Sequence, residues 1–352
     1  MAFKISFTGD ISLNGYYKQM ALQNEDPFVD IAGAFRNSDV VVINLEAVCE
    51  SPDNEQHIKG TTLSIDASTL KFLRTIKTGI ACLANNHVYD NLSGGFEQTI
   101  EILKEHNIEF VGASLVGEQN EPLAIKAASK SIGLLNYVHE STRPGVGEKD
   151  RIELNIYDKK KIITDVAAQK TIHDFVILVL HWGQDNSRYP APWQRKDAKS
   201  FADAGADIII GHHSHVLQGF EKIGNSKVYY SLGNFAFSPI RMEDKIDQNR
   251  QTETIILSCE FSEEDIVYHE IPVRLLDHSP HEVSKSNIIR LSKRMPIVSN
   301  PFVWPFYIFY LNVIYKFYYF FFGNDRKPIS QLRKINRTRI QRFWQNLFKF
   351  RN

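Results

Sequence analysis

Six strand-like apolar runs in this chain each end in residues that bind metals or move protons. The endings read Thr8-Gly9-Asp10, Asn44-Leu45-Glu46, Ala84-Asn85-Asn86-His87, His181-Trp182-Gly183, Gly211-His212-His213-Ser214-His215 and Gly233-Asn234-Phe235. The carboxyl ends of parallel strands line one crevice of an α/β sheet, and ligands sit there. One polar strand end is unremarkable. Six in one chain predict a site built from carboxylates, amide oxygens and imidazoles, a donor set suited to a divalent metal.

The residues differ in how strongly they speak. Asp10 follows a glycine, and an Asp after a strand also serves as a turn or cap residue. Glu46 follows a buried strand, where a solvated carboxylate is the plain alternative. Asn86 offers a neutral hard oxygen, and His87 beside it can donate a proton or bind an oxyanion. Asn85 and Asn86 would also serve in an ordinary turn. His213 and His215 form the most specific feature. On extended backbone, residues two apart face the same side about 6–7 Å apart, which suits two nitrogens around a metal pair. Gly211 before them allows close backbone approach. His181 closes a long apolar strand, an unusual place for an imidazole without a partner or a metal. His57, His106, His139, His173, His269, His278 and His281 read as surface residues.

The elements that must position these groups are legible as alternating strands and helices. Strands are predicted at Lys4–Phe7, Val40–Asn44, Ile80–Leu83, Ile132–Tyr137, Phe175–Leu180, Asp207–Ile210 and Val228–Leu232, and strand character resumes over 252–275. Continuous runs such as Phe175-Val176-Ile177-Leu178-Val179-Leu180 belong to strands covered on both faces. Helices are predicted at Pro27–Arg36, Ser68–Lys77 (Ser68 as N-cap), Gly94–His106 and Trp193–Ala204. Residues 140–172 read as a charged surface excursion carrying a helix. The alternation predicts a layered α/β domain over residues 1–280.

Composition narrows the class. Of 352 residues, 43% are hydrophobic and 23% charged, as in folded soluble domains and unlike disordered chains. The formal net charge of zero hides a basic tail, with nine Lys and Arg against Asp325 from Gly323 onward. Cys49, Cys82 and Cys259 have no CxxC spacing, which predicts reduced thiols. The opening Met1–Phe7 reads directly as a strand without a secretory signal, so cytoplasmic folding is expected. Residues 301–352 form an aromatic and then basic amphipathic segment. Phe302–Phe322 approaches spanning length, yet its aromatic load suits an interface, and Ile340, Phe343, Trp344, Leu347 and Phe348 recur at helical spacing among arginines. A helical pair packed on the protein's own core is the alternative. No Walker or dinucleotide phosphate loop and no nucleophile elbow is present.

With these motifs assembled, the chain resembles the CapA family of poly-γ-glutamate capsule biosynthesis proteins, within the calcineurin-like metallophosphoesterase superfamily. The match runs in order over roughly residues 3–275. The resemblance implies a four-layer α/β/β/α sandwich of metallophosphoesterase type, here with a C-terminal aromatic and basic helical extension, and two divalent metal ions (Mn, Fe or Zn). It implies metal ligands at Asp10, Glu46, Asn86, His181, His213 and His215, with Glu46 in the bridging position, and His87 as the general acid. The superfamily's first motif is Asp-x-His, whereas this chain has Asp10-Ile11-Ser12, so one ligand is altered.

The expected function is a metal-dependent hydrolase of capsule or envelope polymer biosynthesis, in which metal-activated water attacks a phosphoester or amide bond. The alternative is a non-catalytic membrane-associated subunit that binds an anionic polymer or a lipid-linked precursor. Expected partners are the envelope polymer or its precursor as substrate and, through the C-terminal segment, a membrane surface. No nucleic acid partner is expected. The expected location is the cytoplasm, peripheral to or anchored in the inner membrane through the C-terminus.

Overall fold

The computed structural model describes residues 2–53, 62–118, 120–127, 130–142, 151–238, 252–263 and 265–314. Its long apolar runs become central strands of two sheets, and alternate side chains of each run enter different cores. Along Val40–Leu45, Val41 and Ile43 face a helical layer while Val42 faces the second sheet. Along Phe175–His181, Ile177 and Val179 face the first sheet, and Val176, Leu178 and Leu180 face a second helical layer. Burying each such side chain contributes about 1.5–3 kcal/mol, and both faces gain at once. The expected doubly covered strands are present for this reason.

The first sheet has eight strands. Seven run in the order Ser279–Glu282, Ile266–Leu276, Glu253–Phe261, Phe3–Ile11, Val40–Leu45, Thr78–Cys82 and Glu109–Val111, and Asn234–Ala236 pairs with Phe3–Ile11. The second orders six strands as Phe220–Ile223, Ser226–Tyr229, Ile208–His212, Phe175–His181, Lys130–Val138 and Leu123–Ala127. Tyr16–Gln23 and Leu92–Glu105 cover the outer face of the first sheet, the latter through Phe96, Ile100 and Leu103. Lys159–Ile172 and Pro192–Asp203 cover the second through Ile162, Val166, Ala198 and Phe201. The result is helix, sheet, sheet, helix.

Register decides what meets at the strand ends. Phe3–Ile11, Val40–Leu45 and Thr78–Cys82 are parallel, with Asp10 opposite Asn44 and Asn44 opposite Cys82. Phe175–His181 and Ile208–His212 are also parallel and place His181 opposite His212. Asp10 also lies opposite Asn234.

Two predicted helices differ from expectation. Pro27–Arg36 contains only a 3-10 turn at Ala32–Phe35. The Asp26 carboxylate accepts from the Phe28 backbone N–H at 2.9 Å, and Phe28, Ile31 and Phe35 are held by core burial, with Gly33 between them. The second segment is a 3-10 helix at Ala67–Arg74, and its cap is Asp66, whose side chain accepts from Ser68. Residues 140–172 are less peripheral than expected. Ile152–Leu154 pairs with Ala113–Leu115, and the following helix, capped by Asp158, buries Ile162 and Val166.

Beyond the sheets, Ile288–Val298 sends Ile288 and Leu291 into the core between the sheets and Met295 into the outer core. Trp304–Phe309 follows, and Phe302, Phe306 and Phe309 are exposed there. No helix among the described residues is long and apolar enough to cross a membrane. The rest of the aromatic run and the basic tail, residues 315–352, lie outside the described residues.

Candidate metal centre

All seven singled-out residues meet where the two sheets bring their strand ends together. The first sheet and its loops bring Asp10, Glu46, Asn86 and His87, and the second brings His181, His213 and His215. Three overlapping sets of donors each lie within 4.8 Å of one another: Glu46 with His181 and His213, Asp10 with Glu46 and His215, and Asp185 with His213 and His215. Glu46 belongs to the first two sets. Asn86 joins the first of them, its Oδ1 lying 2.7 Å from His181 Nε2.

Local backbone explains the placement. Gly9 is required for close approach within a strand and not for a turn: a Cβ there would come 2.0 Å from the carbonyl oxygen of Gly233, on which the Asp10 N–H is bonded at 2.8 Å. Gly211 is held as tightly, since a Cβ there would come 1.9 Å from the Tyr230 carbonyl oxygen. The Glu46 N–H bonds to the Ile11 carbonyl oxygen at 2.8 Å, and the Asn85 side chain donates to the Leu45 carbonyl oxygen at 2.8 Å. Asn85 is therefore a staple between strand ends, and its neighbour Asn86 faces the donors.

The expected extended backbone at the last histidine pair is not what brings the rings together. His213 has φ 90° and His215 has φ 58°, both in the left-handed region. Their ring centroids are 6.0 Å apart, and His181 lies 4.9 Å from His213. Strained conformations of this kind cost about 1–3 kcal/mol each and concentrate at functional sites.

Electrostatics set the centre apart from an ordinary buried network. Burial pushes the Asp10 carboxyl up, but His212 at 2.7 Å, His215 and the Asn44 amide at 2.9 Å outweigh this and hold it below the usual range. Burial raises Glu46 well above the carboxylate range, and the negative charges of Asp10, Asp185 and Asp90 add to this. Burial likewise holds the His181 imidazole well below its ordinary value, and His213 falls to about 4. His181 Nε2 stands 3.6 Å from Glu46 Oε1, an ion-pair distance. Both groups are driven toward neutrality, so this contact is not an ion pair in the metal-free chain.

The buried polar atoms without a hydrogen-bond partner test whether a cation fits. Among the described residues they include Asp10 Oδ2, both oxygens of Glu46, and His213 Nδ1. Glu46 is completely buried. An unpaired buried carboxylate costs several kcal/mol, and divalent cations amid oxygen and imidazole donors remove that cost. The residues fit a metal pair: Asp10, Glu46 and His215 would hold one ion, and Glu46, Asn86, His181 and His213 the other. Ser12 is buried, and its Oγ also lacks a partner.

A family model described as bacterial capsule synthesis protein PGA_cap matches residues 4–239, which include every residue of this centre. The chain belongs to that family. PGA biosynthesis protein CapA of Bacillus subtilis (strain 168) is 31% identical over 237 residues, 66% of this chain and 62% of that protein. Capsule biosynthesis protein CapA of Bacillus anthracis is 29% identical over 243 residues, 66% of this chain and 59% of its own length. The chain thus spans about three fifths of these relatives. A solved Staphylococcus aureus structure, provisionally named a 5′-nucleotidase, superposes with TM-score 0.51 at 11% identity, covering 84% of this chain and 58% of that one. At that identity the likeness concerns fold alone, and it agrees with the metallophosphoesterase-type sandwich.

Some site residues of this PGA_cap chain escaped sequence reasoning. Asp90 Oδ2 lies 2.6 Å from His87 Nδ1, and Asp185 Oδ1 lies 3.2 Å from His213 Nε2. Both stand in turns past the strand ends, and only the three-residue spacing of Asp90 from His87 gave a signal. His139, read as a surface residue, instead packs on Trp193 and Tyr157 with centroids 4.4 and 4.5 Å away. His278 similarly stacks on Tyr16 at 4.4 Å.

Proposed function

We propose that this chain is a metal-dependent hydrolase of capsule or envelope polymer biosynthesis, acting on a phosphoester or amide bond of an anionic polymer or its precursor. One observation carries this reading. Glu46 is a buried carboxylate with two unpartnered oxygens, shared by two sets of donors. Divalent ions bound there supply Lewis-acid charge beside the reacting oxygen and water of lowered pKa.

The chain's own residues supply the rest. His87 Nε2 stands 3.9 Å from Glu46 Oε1, while the Asp90 carboxylate holds Nδ1 at 2.6 Å. Asp90 also accepts from the Leu63 backbone N–H at 2.5 Å, which fixes the carboxylate in turn. With its ring so oriented, His87 directs Nε2 at the edge of the centre, where it protonates a leaving group or stabilises an oxyanion. Asp10 is held ionised by His212 and Asn44, whereas Glu46 needs a cation to ionise.

The partners in this reading are the polymer or precursor and a membrane surface met by the C-terminal aromatic segment. The exposed Phe302, Phe306 and Phe309, followed in sequence by the basic tail, support the latter. A non-catalytic subunit is favoured by one observation, the serine hydroxyl at position 12 where the superfamily pattern has an imidazole. His87→Ala separates the two readings. As a hydrolase, the variant keeps its metal content and loses roughly 10²–10⁴-fold in turnover of phosphoester or γ-glutamyl substrates. Unchanged turnover sinks the role of His87, and a wild-type chain without turnover on either class favours the subunit.

A further inference from the structure

A neutral imidazole offers one lone pair, and the partner of its other nitrogen decides which nitrogen carries it. The last two histidines of the centre are set in opposite senses. His215 Nδ1 lies 3.0 Å from Asn234 Oδ1, which leaves Nε2 facing Glu46 Oε1 at 3.6 Å. His213 Nε2 lies 3.2 Å from Asp185 Oδ1, while its Nδ1 is buried without a partner. We propose that Asp185 is the positioning carboxylate of His213, accepting the Nε2 proton so that the Nδ1 lone pair is presented to a divalent cation. This rests on the metal-centre reading above.

The surroundings of Asp185 favour this over direct ligation. Its side chain is 64% exposed, whereas that of His213 is 5% exposed, so the carboxylate sits on the outer side of the ring. A nitrogen that donates to Asp185 cannot also bind a cation, and the unpartnered nitrogen is the buried one. The loop carrying Asp185 is fastened to the histidine turn itself. The Asn186 N–H bonds at 2.9 Å to the carbonyl oxygen of Ser214, the residue between the two histidines. Gln218 Nε2 donates to the Ser187 carbonyl oxygen at 2.6 Å.

The far end of the loop meets the helix Trp304–Phe309, where the Arg188 N–H donates to Tyr307 Oη at 3.0 Å, and the first sheet, where Arg188 Nη2 pairs with Glu253 at 3.0 Å. Outer partners of metal-bound histidines are worth roughly 10–100-fold in metal affinity. The exposure of Asp185 screens its charge and places the effect at the lower end of that range.

The test is a titration of the 352-residue chain with Mn(II) or Zn(II) in competition with a chelating indicator, for wild type, Asp185→Ala and Asp185→Asn. Asp185→Ala is expected to bind as many ions as wild type at saturation, with one dissociation constant raised on the order of tenfold. Asp185→Asn keeps an acceptor oxygen and recovers part of that loss. Melting of the metal-free proteins stays unchanged, which separates positioning from folding. Unchanged affinity in Asp185→Ala overturns the proposal, and so does loss of a whole ion at saturation, which would make Asp185 a direct ligand. A wild-type chain that binds no ion overturns the metal-centre reading itself, a separate result from either variant's.

Discussion

The two sheets contribute opposite chemistries to one centre. The first brings oxygens, from Asp10, Glu46 and Asn86; the second brings nitrogens, from His181, His213 and His215. The oxygen side carries the electrostatic cost, because Glu46 is buried without partners and raised by burial. On the nitrogen side, burial holds the His181 and His213 imidazoles toward the neutral form, which offers a lone pair to a cation. Neither side is at rest alone, and a cation between them relieves both. The two proposed ion positions would differ as well: one would have two carboxylates and an imidazole, the other one carboxylate, an amide and two imidazoles.

The largest effect is expected at the shared residue. Glu46→Gln keeps shape but removes the charge common to both positions, so binding of both ions should weaken by more than the roughly 10–100-fold that an outer partner costs. Chelator competition measures it, and loss of only one ion would break the claim that Glu46 is shared. His181→Ala, on the nitrogen side, should remove about one ion per chain and leave the Asp10 position filled. Elemental analysis that finds both ions gone would show the two positions to be interdependent.

A contact between the same sheets, away from the centre, sharpens the contrast. Glu270 on the first sheet meets Lys227 at 2.8 Å and Tyr229 at 2.5 Å on the second. Burial pushes the Glu270 carboxyl up, but the Lys227 and Tyr229 hydrogen bonds outweigh it and leave it lowered. Its contribution to stability is therefore present above the unfolded carboxyl value of 4.5 and is lost as pH falls through the lower folded value. Glu270→Gln should cost about 1–3 kcal/mol at neutral pH and less in acid, with metal affinity unchanged. A thermal melt whose loss does not shrink on acidification would contradict this.

The smallest effect is expected at Ser12. Its buried hydroxyl has no partner, so Ser12→Ala should be neutral or slightly stabilising, within about 1 kcal/mol, and should leave metal binding unchanged. Weaker binding at the Asp10 position would make the hydroxyl a ligand and narrow the difference between the two positions.

The positions of the centre were legible because strands covered on both faces leave an apolar run that stops abruptly, and the stops are where Asp10, Glu46, His181 and His213 stand. The layered α/β class followed from the same runs, whereas the four-layer sandwich was implied by the family resemblance. What was not legible depends on tertiary contact. Nothing in the sequence signals that His213 and His215 adopt left-handed backbone, since non-glycine residues there are held by their surroundings. Asp185 reaches His213 only because its loop is tied to Ser214. The segment Pro27–Arg36 has helical spacing of Phe28, Ile31 and Phe35, yet burial of those three side chains fixes it without a helix. The His139 ring likewise finds Trp193 from a distant helix.

The most direct test of the central claim is the metal content of the 352-residue chain, purified without chelator and measured by elemental analysis. A buried Glu46 shared by two donor sets predicts about two first-row transition metals per chain. A chain that remains empty after soaking in Mn and Zn would contradict that claim and leave the orphaned carboxylate to be explained by protonation alone.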